Sequence, residues 1–106
     1  MAFPADQMSE TLTVHKRAGV TGYGEPAFGL DATEHWYLEP GFTLITDRQG
    51  EEVTASLFGI GPADSALSLG DEVEWDGRTY RAIDVQKVRH QGATDHVEAY
   101  FGSVAS

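Results

Sequence analysis

The stretch EVEWDGRTYR, residues 72–81, carries the strongest indication of the fold. Apolar and polar residues alternate on both sides of Asp76-Gly77, and Asp-Gly is a preferred two-residue hairpin turn because both positions need positive φ. One face of the hairpin is then apolar and the other carries opposite charges, an arrangement that stabilises antiparallel pairing. The turn predicts three cross-strand pairs: Val73 with Tyr80, Glu72 with Arg81, and Trp75 with Arg78.

The same alternation recurs along the chain, with most of the twelve glycines falling between apolar stretches. Ile83 and Val85 fall out of phase with Tyr80, which predicts a β-bulge near Arg81-Ala82. No sustained 3.6-residue period is present, so the sequence predicts an all-β domain: a small β-barrel or curled sandwich of six to seven short antiparallel strands. The other predicted strands are 10–17, 35–38, 42–46, 53–57 and 96–101, the last with Val97, Ala99 and Phe101 facing inward.

The segments between strands carry further expectations. Residues 18–34 are glycine-rich and lack a clear period, which predicts one long loop, and loops of this length are usually functional or disordered. Pro40-Gly41 predicts a turn, and residues 63–69 predict a single helical turn. Residues 1–9 are expected to form a flexible arm before a single domain that covers residues 10–106.

Composition excludes several classes of function. Seventeen acidic residues against seven basic ones give a formal charge of −10, which opposes binding to nucleic-acid phosphates or to an anionic membrane. The absence of cysteine excludes disulfide scaffolds and thiolate chemistry. The N-terminal residues lack the basic start and apolar stretch of a signal peptide, so we expect a soluble protein made in a cytoplasm-like compartment.

Candidate chemical sites are weak. His90, Asp95 and His96 lie around one predicted turn and have side chains that can bind zinc or iron, but their spacing matches no known ligand motif and a solvent-exposed turn is favoured. Glu72 and Glu74 share a hairpin face like a catalytic carboxylate pair, yet Arg81 opposite Glu72 favours a charge-paired surface. The glycines at 19, 22 and 24 are followed by neither the lysine nor the helix of a phosphate loop. We therefore expect no enzyme activity, no metal and no cofactor.

The order of the motifs resembles that of a known family, the head-to-tail stopper or head-closure proteins of long-tailed bacteriophages. These neck connector proteins share a strand ending in basic residues, a Tyr-Gly-Pro loop, a Pro-Asp turn and an Asp-Gly hairpin. The resemblance covers roughly residues 10–101. The matching segments are VHKR (14–17), YGEP (23–26), GPAD (61–64), GDEV (70–73) and WDGRTYR (75–81).

The resemblance implies a structural role in head completion. Stopper proteins form a ring below the portal and adaptor, retain the packaged DNA and offer the surface to which the tail attaches. It implies a homo-oligomeric ring, with six copies favoured and twelve possible, that contacts portal or adaptor proteins on one side and a tail terminator or tail tube on the other. DNA would pass through without sequence-specific binding, no membrane would be involved, and the protein would reside in the virion neck after assembly in the bacterial cytoplasm.

The predicted long loop is the candidate contact segment for neighbouring subunits or partners, and the Asp-Gly hairpin is expected to be structural. The candidate contact residues are Tyr23, Gly24, Glu25, Pro26, Phe28, Trp36 and Tyr37, and the hairpin residues are Trp75, Asp76, Gly77 and Tyr80. Two alternatives remain open. The chain could be another neck component, such as a tail terminator or adaptor, or an oligonucleotide-binding barrel in which Trp36, Tyr37, Phe42 and Phe58 stack on bases.

Overall fold

Six antiparallel strands form the fold in the computed structural model, which describes residues 7–20, 26–47 and 49–104, with the backbone alone described at 17–20 and 26–30. They form one sheet in the order β1-β2-β3-β6-β5-β4, which closes because β1 pairs with β4. The closing contact involves only three residue pairs, Thr13–His15 against Glu72–Glu74, so the barrel is irregular. The all-β prediction is confirmed. The strands are β1 (Glu10–Val20), β2 (Pro26–Thr46), β3 (Glu52–Pro62), β4 (Glu72–Trp75), β5 (Arg78–His90) and β6 (Ala93–Ser103).

The β4–β5 hairpin has the predicted register. Asp76 and Gly77 adopt φ of 53° and 75°, as a tight two-residue turn requires. The predicted bulge is also present: Ala82 lies opposite Phe101 and Asp84 opposite Tyr100, which leaves Ile83 as the extra residue. The observed pairs are Val73 with Tyr80, Glu72 with Arg81, and Trp75 with Arg78.

The core is centred on Trp36, which is fully buried. Its ring meets that of Phe101 edge to face, with centroids 5.8 Å apart, a favourable geometry for aromatic pairs. Gly59 and Gly61 of β3 lie directly beneath the indole, where any Cβ would overlap it. On β6 the inward alternation is as predicted, since Val97, Ala99 and Phe101 are buried.

The predicted loop over residues 18–34 is wrong, because residues 18–20 belong to β1 and residues 26–34 to β2. The two strands pair with one another, as in Gly19 with Ala27 and Val20 with Pro26, so their backbone groups have partners despite the glycines. Register shifts at residues 15–19 accommodate the irregular sequence. Only residues 21–25 separate the strands, and they lie outside the described residues.

Two smaller expectations are also corrected. Pro40-Gly41 does not end a strand: β2 continues through it with a bulge between Pro40 and Thr43. Residues 63–69 contain no helical turn. A turn at Pro62–Ser65 leads instead into irregular chain whose Leu67 enters the core. The N-terminal arm stays a prediction, since residues 1–6 lie outside the described part of the chain.

No helix among the described residues has the length and hydrophobicity needed to cross a bilayer.

Candidate partner-contact surfaces

The β1–β2 ribbon, residues 16–20 and 26–33, is the first surface positioned to meet another molecule. β4 pairs with β1 only as far as His15, and β3 pairs with β2 only from Tyr37 onward. Among the described residues, the two segments of the ribbon therefore pair only with each other and, at 31–33, with residues 13–15 of β1. Unpaired strand edges are available for contact with another chain.

The predicted contact residues are only partly placed by this geometry. Pro26 and Phe28 lie in the second strand of the β1–β2 ribbon, while residues 23–25 are outside the described part of the chain. Trp36 does not belong in the contact set, because it is fully buried in the core. Tyr37 is half-buried, and its hydroxyl donates a hydrogen bond to Glu39 at 3.3 Å.

A histidine bridges the seam where β1 meets β4. The Nδ1 atom of His15 is 2.6 Å from Oδ1 of Asp31 on β2. Its Nε2 atom is 3.2 Å from Oε1 of Glu74 on β4, an ion pair without good hydrogen-bond alignment. The hydrogen bond to Asp31 raises the pKa of His15 above its ordinary value, an effect that outweighs partial burial and to which Glu74 adds. When protonated, His15 therefore links three strands across the closure.

The irregular segment 62–71 is fixed by an ion pair between a buried carboxylate and a partly exposed lysine. Asp71 is 2% exposed, and its carboxylate accepts hydrogen bonds from Lys16 Nζ at 2.7 Å and from the Ser68 amide at 2.8 Å. The same ammonium donates to the carbonyl of Ala66 at 2.6 Å and to the Ser68 hydroxyl at 2.9 Å. A buried carboxylate requires such compensation. Sequence reasoning missed this pair because its members lie 55 residues apart, and nothing in the VHKR or GDEV segments indicates that the two side chains meet.

Glu34 fixes the other side of the same segment. Its carboxylate accepts hydrogen bonds from the Ser65 hydroxyl at 2.6 Å and from the Ala66 amide at 2.7 Å. It also accepts one from Nε1 of Trp36 at 2.9 Å. The segment is thereby attached to the core tryptophan as well as to β1.

The acidic hairpin end, residues 39–52, is the second candidate surface and joins β2 to β3. Phe42 and Leu44 are 84% and 69% exposed there. Leu44 lies opposite Thr54, on the outer face, because the next pair along contains the buried Ala55. Large apolar side chains exposed close together are a common mark of interaction sites.

The basic tip, residues 85–94, is the third candidate surface and joins β5 to β6 through Gln91 and Gly92 at φ of 53° and 83°. Lys87, Arg89 and His90 are exposed on it. This segment contains no acidic residue.

The structure does not assemble the metal site considered from the sequence. No group of three or more potential ligands comes together in the described ranges. Instead, His96 lies between Asp95 Oδ2 at 2.7 Å and Glu98 Oε2 at 3.0 Å. Burial disfavours the charged imidazole, but the hydrogen bonds to the two carboxylates prevail and raise the pKa of His96.

The hairpin carboxylates are paired with cations rather than with each other. Arg81 Nη2 is 2.7 Å from Glu72 Oε2, and Glu74 faces His15. The charge-paired interpretation of this face therefore agrees with the structure. The aromatic residues considered for base stacking are also dispersed: Trp36 is in the core, and Phe58 packs against Tyr100 at 5.0 Å.

Comparison with known proteins relates the chain to a solved structure by its fold. It is similar to the phage-like element PBSX protein xkdH from Bacillus subtilis, with a TM-score of 0.54 and 16% sequence identity. The similarity covers 89% of this chain and 92% of the other, so the two share an overall fold. No protein-family model matches the chain, and no curated protein matches it significantly in sequence.

Proposed function

We propose that this protein is a structural component of the bacteriophage virion, specifically the head-to-tail stopper of the neck. The observation that carries the proposal is the fold likeness to a protein of a phage-like element over nearly the whole length of both chains. The ordered set of sequence motifs, from VHKR at 14–17 to WDGRTYR at 75–81, supports the same assignment independently. The proposed action is structural, without catalysis.

In this role the protein forms a ring below the portal and adaptor, closes the DNA-filled head and offers the attachment surface for the tail. Three features of the chain suit that task. The Lys16–Asp71 pair attaches the irregular segment 62–71 to β1, which favours a subunit of fixed shape. The chain's β1–β2 ribbon and its exposed Phe42 lie outside the core and are available for contact with other subunits or partners. Its charge of −10 disfavours adhesion to DNA passing through the ring.

Gene deletion in the parent phage tests the proposal. Particles made without the protein are expected to package DNA but to lose it, and tails are expected to accumulate unattached. Supplying the wild-type chain in trans should restore tailed particles, whereas supplying an unrelated neck protein should not. Normal tailed particles without the protein would refute the neck assignment. Heads that keep their DNA, together with separate unattached tails, would favour an adaptor or terminator role instead.

A DNA titration tests the alternative of a nucleic-acid-binding barrel. We expect no binding of labelled single- or double-stranded DNA at micromolar protein and physiological salt, since the described aromatics do not form a stacking platform. Salt-dependent binding at micromolar or lower concentrations would contradict passive passage of DNA and favour the oligonucleotide-binding alternative.

A further inference from the structure

We propose that copies of this chain associate head to tail, with the basic tip of one copy (residues 85–94) seated on the acidic hairpin end of the next (residues 39–52). The proposal rests on the neck assignment only for its biological setting. The surfaces themselves are defined by charge, exposure and strand order.

The two surfaces are complementary in charge. The acidic hairpin end contains four acidic residues and one basic residue, whereas the basic tip contains two basic residues, one histidine and no acidic residue. Glu51 and Glu52 are exposed, as are Lys87 and Arg89. No ion pair among the described residues neutralises any of these four side chains within the monomer. In a protein with a net charge of −10, such a local reversal of sign offsets the general repulsion between copies and favours one relative orientation.

The acidic hairpin end also offers apolar surface. Phe42 and Leu44 project from it with most of their surface in water. Lysine and arginine carry long aliphatic stems that cover apolar groups while their charged ends remain near carboxylates. Lys87 and Arg89 can therefore cover Phe42 and Leu44 while their charged ends reach toward Glu51 and Glu52.

Strand order places the two surfaces at opposite ends of the barrel. β3 and β6 are antiparallel neighbours, and the start of β6 lies beside the end of β3, with His96 opposite Pro62. The acidic hairpin end leads into the start of β3, and the basic tip leads into the start of β6. Two different, complementary surfaces on one subunit make a heterologous contact, which generates rings when the rotation closes.

Charge reversal tests the proposal in the full-length protein. We expect sedimentation velocity to show concentration-dependent oligomers of the wild type at low salt and their dissociation at high salt. Lys87→Glu/Arg89→Glu and Glu51→Lys/Glu52→Lys should each weaken self-association at least tenfold. An equimolar mixture of the two variants should associate again, because each then presents a surface complementary to the other. Phe42→Ser should weaken association without changing the charge.

Each outcome bears on the proposal. A wild type that stays monomeric at all concentrations and salt levels overturns it, as does association that survives both reversals or fails to return in the mixture. Circular dichroism and thermal melting check folding, and Lys87→Gln/Arg89→Gln replaces the reversal if that variant unfolds. The neck assignment is tested separately. Normal infectivity of phage carrying Lys87→Glu/Arg89→Glu contradicts this contact alone. If the protein forms the oligomers described but phage particles assemble normally without it, the neck assignment alone is contradicted.

Discussion

Replacing Gly61 with alanine should destabilise the protein severely because of the position of Trp36. A Cβ at residue 61 would lie 2.6 Å from Cδ2 of Trp36 and closer still to Cε2 and Cζ2. The indole has nowhere to move, since it is fully buried, packs on Phe101 and donates its Nε1 hydrogen to Glu34. Overpacking of a core costs about 1–3 kcal/mol, and we expect Gly61→Ala to lie at the upper end, about 3 kcal/mol. At about 4–8 °C per kcal/mol for a domain of this size, the melting temperature should fall by about 12–24 °C.

Gly102→Ala is the matched control. The nearest atom to a Cβ at residue 102 is 3.8 Å away, so this change should alter the free energy of unfolding by less than about 1 kcal/mol. Urea unfolding followed by circular dichroism measures both variants. Trp36→Phe should partly relieve Gly61→Ala, making the double variant more stable than the sum of the two single effects predicts. Equal stability of Gly61→Ala and Gly102→Ala would refute the packing argument.

Three further predictions concern the turn, the Lys16–Asp71 ion pair and the seam. Gly77→Val should cost more than about 1 kcal/mol in urea unfolding, because a β-branched residue is strained at a φ of 75° even though the surrounding space is open. Gly77→Asn should cost clearly less, and equal stability of the three proteins would contradict backbone strain at this position. Lys16→Met should cost about 1–3 kcal/mol, because it removes the partly exposed cation that is paired with the buried carboxylate of Asp71. A loss clearly below about 1 kcal/mol in urea unfolding would show that the pair is dispensable. The raised pKa of His15 adds stability that is fully present below pH 6.5 and is lost as the pH rises through the folded-state pKa. The free energy of unfolding in urea should therefore fall less between pH 6 and 8 for His15→Gln than for the wild type. The same pH dependence in both proteins would contradict this contribution of His15.

Much of the local β-structure could be predicted from the sequence because it depends on neighbouring residues. Asp76-Gly77 encodes its own turn through backbone dihedral angles, and the alternation on either side sets the register of Val73 with Tyr80. The phase break at Ile83 likewise encodes a bulge, since side chains alternate strictly between the faces of a strand. These features need no information from distant parts of the chain. The all-β class followed from them.

The glycine-rich segment 18–34 shows where local reasoning failed. Glycine lowers the intrinsic preference for a strand, so this segment resembled a loop. Pairing between residues 15–20 and 26–31 supplies backbone hydrogen bonds that the preference does not include. The candidate contact set was affected in the same way, because nothing next to Trp36 in the sequence indicates that it is buried.

What only the tertiary structure decided is which distant residues meet. Trp36 became the centre of the core because Gly59 and Gly61 on the next strand leave space for its indole. Lys16 became the partner of the buried Asp71 because closure of β1 against β4 brings the two residues together across 55 positions. The sequence alone determined that the protein is acidic, lacks cysteine and is rich in β-turn signals, because these are properties of composition and local order. Its core and its exposed surfaces depend on non-local contacts, whose energies arise only when the sheet closes.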